Sequence, residues 1–256
     1  DAHSEAPSPI SALLSGVLLN CAMYGILRYY ALGTPSLGRS YPTALLLGFG
    51  LLSLLVAALL LFHQRDYKRM LAYSSVEHMG IIALGVAFGG ALGFYGALLQ
   101  ILNHAITKSL MFFASGQVLL KYETKSINRV SGIMKLMPVT GTLLLIGGLA
   151  LTGSPPFGVF ISELSILSAG FRQGYALVAI ATFVLIALIF VSILSSVLPM
   201  VFGKEQPTLK TGEVSSLSLI AMGISVLFVV GLGVFIPSPL NTLLHQAAAV
   251  LEGTGR

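Results

Sequence analysis

The chain contains no tryptophan and a single cysteine, Cys21, in 256 residues. One cysteine closes no internal disulfide and holds no iron–sulfur cluster, which takes about four thiolates. The sequence also has no HExxH pair, phosphate-binding loop or nucleophile elbow. No cofactor or metal is therefore expected in this chain, and any redox centres belong to partners. Charge is scarce too: Asp, Glu, Lys and Arg make up 9% of residues, far below the roughly 25% of soluble domains. The formal charge of +5 does not point to nucleic acid, because basic loops beside membrane spans give the same excess.

What fills the chain is apolar: 55% of residues are hydrophobic, more than a soluble domain carries, and they fall in long unbroken runs. These runs match the roughly 20 residues a helix needs to cross a hydrocarbon core, without the short alternation of a membrane barrel. The expected fold is all-α, a polytopic transmembrane helix bundle. Spans are expected at 10–31, 42–63, 70–89, 92–120, 138–171, 174–202 and 214–236, which makes seven crossings. The fifth run is too long for one straight helix and contains GSPPFG, Gly153 to Gly158. Proline removes a backbone donor and collides with the preceding turn, so a discontinuous helix is expected there. Such a break is tolerated only where protein or a polar cavity meets the freed groups.

Counting the broken helix as one crossing puts Arg65, Lys68, Arg69, Lys121, Lys125, Arg129, Lys135, Lys204 and Lys210 on one side. Arg28, Arg39, Arg172 and Arg256 fall on the other, so the richer side is expected to be cytoplasmic. After the last span, residues 237–256 form either a partly ordered tail or an interfacial amphipathic helix with Leu240, Leu243, Leu244 and Ala247 on one face. The opening DAHSEAPSPI has neither the basic nor the apolar region of a signal peptide. It starts on Asp1, and the chain is read as part of a longer protein.

Three ionisable residues lie deep inside spans: His104 and Lys108 in the fourth, and Glu163 after the break in the fifth. A charge at the bilayer centre costs at least about 2.5 kcal/mol and usually marks a pathway or bundle interior. Snorkelling is the competing reading for Lys108. It stands 16 residues after Leu92 and 12 before Leu120, however, so either surface is far. Gln100, His104 and Lys108 recur at four-residue steps, with Asn103 and Thr107 beside them and Ser115 beyond, giving one polar stripe. Such a stripe suits ordered water and proton exchange, because burial disfavours an ammonium's charge and an approaching carboxylate restores it. In the third span, AYSSVEHMG places Glu77 and His78 a turn from Tyr73 and Ser74. These residues either feed protons inward or anchor the helix near the headgroups, and Lys68 in HQRDYKR is positioned to bias the charge of Glu77.

The stretches DAHSEAPSPISALLSGVLL, RDYKRMLAYSSVEHMG, LNHAITKSLMFF and LTGSPPFGVFISELSIL occur in that order. Together they resemble the antiporter-like membrane subunits shared by respiratory complex I, multi-subunit cation/proton antiporters and membrane-bound nickel–iron hydrogenases. The wording around Asn20, Glu77, His78 and Glu163 is most similar to the F component of hydrogenase-4 and formate hydrogenlyase-type complexes. The resemblance implies two inverted repeats of five helices. Residues 1–63 then close a first repeat, 64–203 form the second with the proton pathway, and 204–256 hold the last span and tail. A buried glutamate and the lysine of a first broken helix would lie upstream of Asp1. By position, Lys108 and His104 match the family's HAxxK motif and Glu163 matches the terminal acid of the second broken helix. Asn20 stands where relatives often carry lysine or histidine; an amide exchanges no proton near neutral pH, and water held by Asn20 and Tyr24 is the expected substitute. The implied role is a proton-translocating subunit in the cell inner membrane, with membrane and peripheral subunits of a hydrogenase or complex I-like assembly as partners. A Na+/H+ antiporter subunit and a non-conducting anchor for redox subunits are the alternatives.

Overall fold

A computed structural model of the chain describes residues 2–204, 206–207 and 209–253, so Arg256 lies outside it. Nine principal helices are described. They are α1 (Ser8–Leu37), α2 (Ser40–Phe62), α3 (Tyr67–Phe88), α4 (Gly90–Tyr122), α5 (Pro138–Leu151), α6 (Gly158–Arg172), α7 (Ala176–Phe202), α8 (Ser216–Val234) and α9 (Ser238–Glu252). The order is the expected one, and the long fifth run divides into α5 and α6. By length and composition α1, α2, α3, α7 and α8 are each apolar enough to cross a membrane. α1 runs past its expected end at 31, continuing through Pro35 until Gly38 at φ 75° stops it.

Local chemistry sets the boundaries. Asp66 caps α3, its carboxylate accepting from the backbone N–H of Lys68 at 2.8 Å and Arg69 at 3.0 Å. Gly89 and Gly90, at φ 68° and 66°, turn the chain from α3 into α4 in a conformation that side chains with a Cβ rarely adopt. At the break, Gly153 stands at φ 67°. The freed backbone groups close short turns: Ser154 N–H donates to the Leu149 carbonyl at 3.0 Å and Phe157 N–H to Ser154 at 3.1 Å.

α3 and α4 form the buried centre, and α4 packs against α1, α3, α5, α6, α8 and α9. α2, α7 and α8 turn Leu, Val and Phe outward; Leu177 is 84% exposed and Leu217 77%, as lipid-facing residues are. One end of the bundle gathers the basic loops. Arg65 and Lys125 carbonyls accept from Ile127 and Tyr67 N–H groups. Lys121 Nζ donates to the Gly212 carbonyl at 2.8 Å, and Ser131 Oγ to the Lys204 carbonyl at 2.6 Å. The loops before α5 and after α7 therefore share this end. Gln173, after α6, lies against Gly90 at the opposite end. The broken pair thus makes a single crossing, with the basic loops gathered as the charge pattern anticipated.

α9 is a helix and not a loose tail. Tyr95 Oη on α4 donates to Asn241 Oδ1 at 2.8 Å, and the Tyr95 and His245 rings stack at 4.6 Å. Its inward face carries Leu244, Ala248 and Leu251, whereas Leu243, expected on that face, is 60% exposed. The α4 contacts rotate the helix so that Leu243 points away.

α2 and α3 meet through two glycines: a Cβ on Gly80 would lie 2.9 Å from the Gly50 carbonyl oxygen. Gly80→Ala is expected to part the helices and destabilise the protein by about 1–3 kcal/mol. Gly48→Ala, where nothing lies within 4 Å, should be neutral or stabilising. Thermal unfolding of the two variants in detergent checks the contrast.

Candidate functional site

α3 and α4 run antiparallel, so polar residues on their facing sides meet in order from the basic end inward. Lys108, with no exposure, is held at the first level. Its ammonium donates to the Leu71 carbonyl at 2.9 Å and to Ser74 Oγ. Snorkelling does not occur. Ser74 itself donates to the Leu71 carbonyl at 3.1 Å, and Ser75 Oγ does so at 3.2 Å. Ser75 also shares a 2.7 Å hydrogen bond with Ser15 of α1.

The next level is a pair of imidazoles. The His78 and His104 rings are 5.0 Å apart, centre to centre. His104 Nε2 lies 3.2 Å from the Ser15 carbonyl, which can only accept, so this nitrogen carries the hydrogen and Nδ1 is an acceptor. Gln100 receives a hydrogen bond from Ser162 Oγ at Oε1, so its amide nitrogen donates to His78 Nδ1, at 2.7 Å. His78 then carries its hydrogen on Nε2. Both remaining nitrogens, the donor His78 Nε2 and the acceptor His104 Nδ1, are buried without partners among the described residues. One is a donor and the other an acceptor.

Beyond the imidazoles the chain reaches the broken helix. Asn103 Nδ2 donates to Ser162 Oγ at 3.2 Å, and a Cβ on Gly158 would strike Asn103 at 2.5 Å. Glu163 is buried at 6% exposure, its carboxylate so close to Gly153 that a Cβ there would sit 2.2 Å from Oε2. It borders a groove of about 320 Å³ between α6 and α7 that includes Phe160, Leu167 and Phe190. Glu77, 3% exposed, has Oε2 without a partner among the described residues, and the charges acting on it are those of Glu163 and Lys108. A carboxylate–ammonium series (Lys108, Glu77, Glu163) thus runs beside an imidazole–amide–hydroxyl series (His104, His78, Gln100, Ser162).

The remaining expected residues fall as follows. Thr107 is buried on α4. Asn20 Nδ2 donates to the Gly16 carbonyl at 2.8 Å and to Ile101 at 3.2 Å, leaving its buried Oδ1 unpartnered among the described residues. Lys68 is buried with Nζ on the Ala6 carbonyl at 2.6 Å, and its charge is not among those acting on Glu77. Tyr24 is 60% exposed on the outer face of α1, with Arg28 over its ring, and does not join Asn20 in the interior. Sequence reasoning passed over Ser15, Ser75 and Ser162. Ser15 was within reach, since Ser8, Ser11 and Ser15 repeat at helical spacing, but the π turn over Leu14–Leu18 that presents its carbonyl leaves no compositional mark.

Fold and site define a polytopic helical membrane protein whose interior holds buried ionisable and polar side chains. The family described as NADH:quinone oxidoreductase/Mrp antiporter, transmembrane, matches residues 1–191, and the chain belongs to it. A "Hydrogenase-4 component F homolog" of Methylacidiphilum infernorum is 42% identical over 252 residues, covering 98% of this chain and 52% of the relative. "NADH-quinone oxidoreductase subunit M" of Pseudomonas aeruginosa is 33% identical over 259 residues, covering 99% of this chain and 48% of the relative. Among solved structures, an archaeal membrane-bound sulfane sulfur reductase superposes with a TM-score of 0.89 at 29% identity, over 98% of this chain and 51% of that one. The chain spans about half the length of these relatives.

Gln100 joins the two helices to the broken pair. Gln100→Leu leaves His78 Nδ1 without its donor and removes one acceptor from the Ser162 hydroxyl, and should lower stability by about 1–3 kcal/mol. A drop in melting temperature of purified protein, absent in the isosteric Gln100→Glu at a pH that keeps the acid neutral, is the expected result.

Proposed function

We propose that the chain is the proton-translocating part of an antiporter-like subunit in a hydrogenase or complex I-like assembly of the cell inner membrane. The observation that carries this reading is Lys108, fully buried and wired through Ser74 to α3, at the head of a polar series ending on Glu163 beside the helix break. Residues 1–63, 64–203 and 204–256 act as the end of one repeat, the pathway-bearing repeat, and a closing span with its helical tail. The basic end faces the cytoplasm. Partners supply the electron chemistry.

In this reading a proton reaches the neutral amine of Lys108 from the basic end. Its ammonium draws Glu77 toward the ionised form, and loss of the proton to the imidazole pair releases that attraction. His104 takes the proton at Nδ1; once the His78 ring has turned to present its bare nitrogen the proton passes to it, and His78 releases its other hydrogen toward Glu163, leaving both imidazoles neutral. Glu163 receives the proton last, where α6 begins and the backbone is already interrupted. Each step changes one buried charge, and each buried charge biases the next through low-dielectric protein. Asn20 contributes an acceptor for water and carries no proton itself.

The test uses the full-length protein in its assembled complex, reconstituted in vesicles. Lys108→Ala should abolish most proton translocation while redox turnover and assembly persist; unchanged translocation refutes the reading. Gly153→Ala should approach the loss seen with Glu163→Gln, because the added Cβ displaces the carboxylate. Translocation that requires sodium and persists without redox partners would instead assign a Na+/H+ antiporter.

A further inference from the structure

One buried ionisable side chain stays outside that series. The turn Ala2–Glu5 folds over the basic end and is tied down from three sides. The His3 carbonyl accepts from Ser11 Oγ at 2.7 Å. The Ala6 carbonyl accepts from Lys68 Nζ at 2.6 Å, and Glu5 pairs with Lys125 at 2.8 Å. The His3 ring lies against the carbonyl of Leu14, where the π turn of α1 begins. Its Nε2 is buried with no partner among the described residues, although the residue as a whole is only partly covered. The Ser8 hydroxyl is likewise buried and unpartnered among the described residues, packed on Gly116 two turns from Lys108 toward the basic end.

A histidine serving only to pack the turn would have both nitrogens satisfied or in bulk water. His3 has Nε2 buried and unpartnered among the described residues, in a segment whose other face is exposed. We propose that His3 is the proton-uptake residue at the basic end, passing protons through water beside Ser8 to Lys108. This rests on the proton-translocating reading above. Neutral His3, with its hydrogen on the inward Nε2, takes a proton at Nδ1 from surface water, giving an imidazolium. The Nε2 proton then passes to an inner water, which protonates the Lys108 amine; imidazole and water are regenerated. Burial first, and the Lys108 charge second, hold His3 below the ordinary histidine value, which speeds release inward. The charged groups facing this corner are Lys108 and His104 from α4, Lys68 from α3, and the Glu5–Lys125 pair at the rim.

The test measures proton translocation and redox turnover separately in the assembled complex carrying His3→Ala, His3→Gln or Lys108→Ala, with and without added imidazole. Both His3 variants should translocate about tenfold more slowly at normal assembly, less than the full effect of an acid–base group because bulk water still enters. Imidazole supplied on the basic side should restore His3→Ala and leave Lys108→Ala inactive. A loss that imidazole does not restore, or that follows poor assembly, overturns the proposal. Normal translocation by His3→Ala overturns it while Lys108→Ala remains defective, and normal translocation by both variants sinks the underlying reading as well.

Discussion

The site depends on how an ammonium group is kept in the middle of a helix bundle. Lys108 has no exposure and no carboxylate within 4 Å among the described residues, so a direct ion pair does not hold it. An isolated buried charge costs several kcal/mol even after relaxation. What offsets that cost is the carbonyl of Leu71, which already takes hydrogen bonds from Ser74 and Ser75 and also accepts from Lys108. Serine hydroxyls that bond back one turn loosen the helical ladder and favour bending, so the paired serines create a polar notch on an otherwise apolar helix. The notch serves the amine as well as the ammonium, since either form can donate to the carbonyl. A salt bridge would fix the charged form, whereas this arrangement leaves the protonation state free to follow its neighbours.

The second constraint is the interruption between α5 and α6. Two glycines border it, and each yields space to one member of the polar series: Gly153 to the Glu163 carboxylate and Gly158 to the Asn103 amide. The break is thus more than a kink forced by Pro155 and Pro156. It lets side chains approach backbone where a Cβ would exclude them, and it sets Ser162 and Glu163 in the first turn and a half of a new helix.

Much of this was legible in the sequence for a simple reason. Span positions follow from apolar length, and the stripe Gln100, His104, Lys108 follows from a period of four, both of which survive folding unchanged. The GSPPFG break was equally visible because proline chemistry is local. Contacts between helices were not. Nothing in the order of residues says that Lys68 turns to the Ala6 carbonyl and away from Glu77, or that Tyr24 faces outward while Asn20, one turn earlier, faces α4. Those outcomes depend on helix rotation, which an almost uniformly apolar helix does not encode in its hydrophobic pattern. The same holds for Leu243, whose exposure is set by the Tyr95 contacts of α9.

Asn20 shows how far geometry alone constrains a route. Both hydrogens of its amide are engaged by carbonyls, Gly16 on its own helix and Ile101 on α4, so the group is fixed in one orientation. That orientation leaves only Oδ1 open, and Oδ1 can receive a hydrogen bond but cannot pass a hydrogen on. A water bound there donates toward the amide and therefore points its own acceptor lone pairs elsewhere, which polarises any water file that touches it. A lysine in this place would alternate between charge states and couple the Lys108 series to whatever lies on the outer side of α1. The amide carries no charge of its own, so the buried charged groups Lys108, Glu77 and Glu163 lie on α4, α3 and α6.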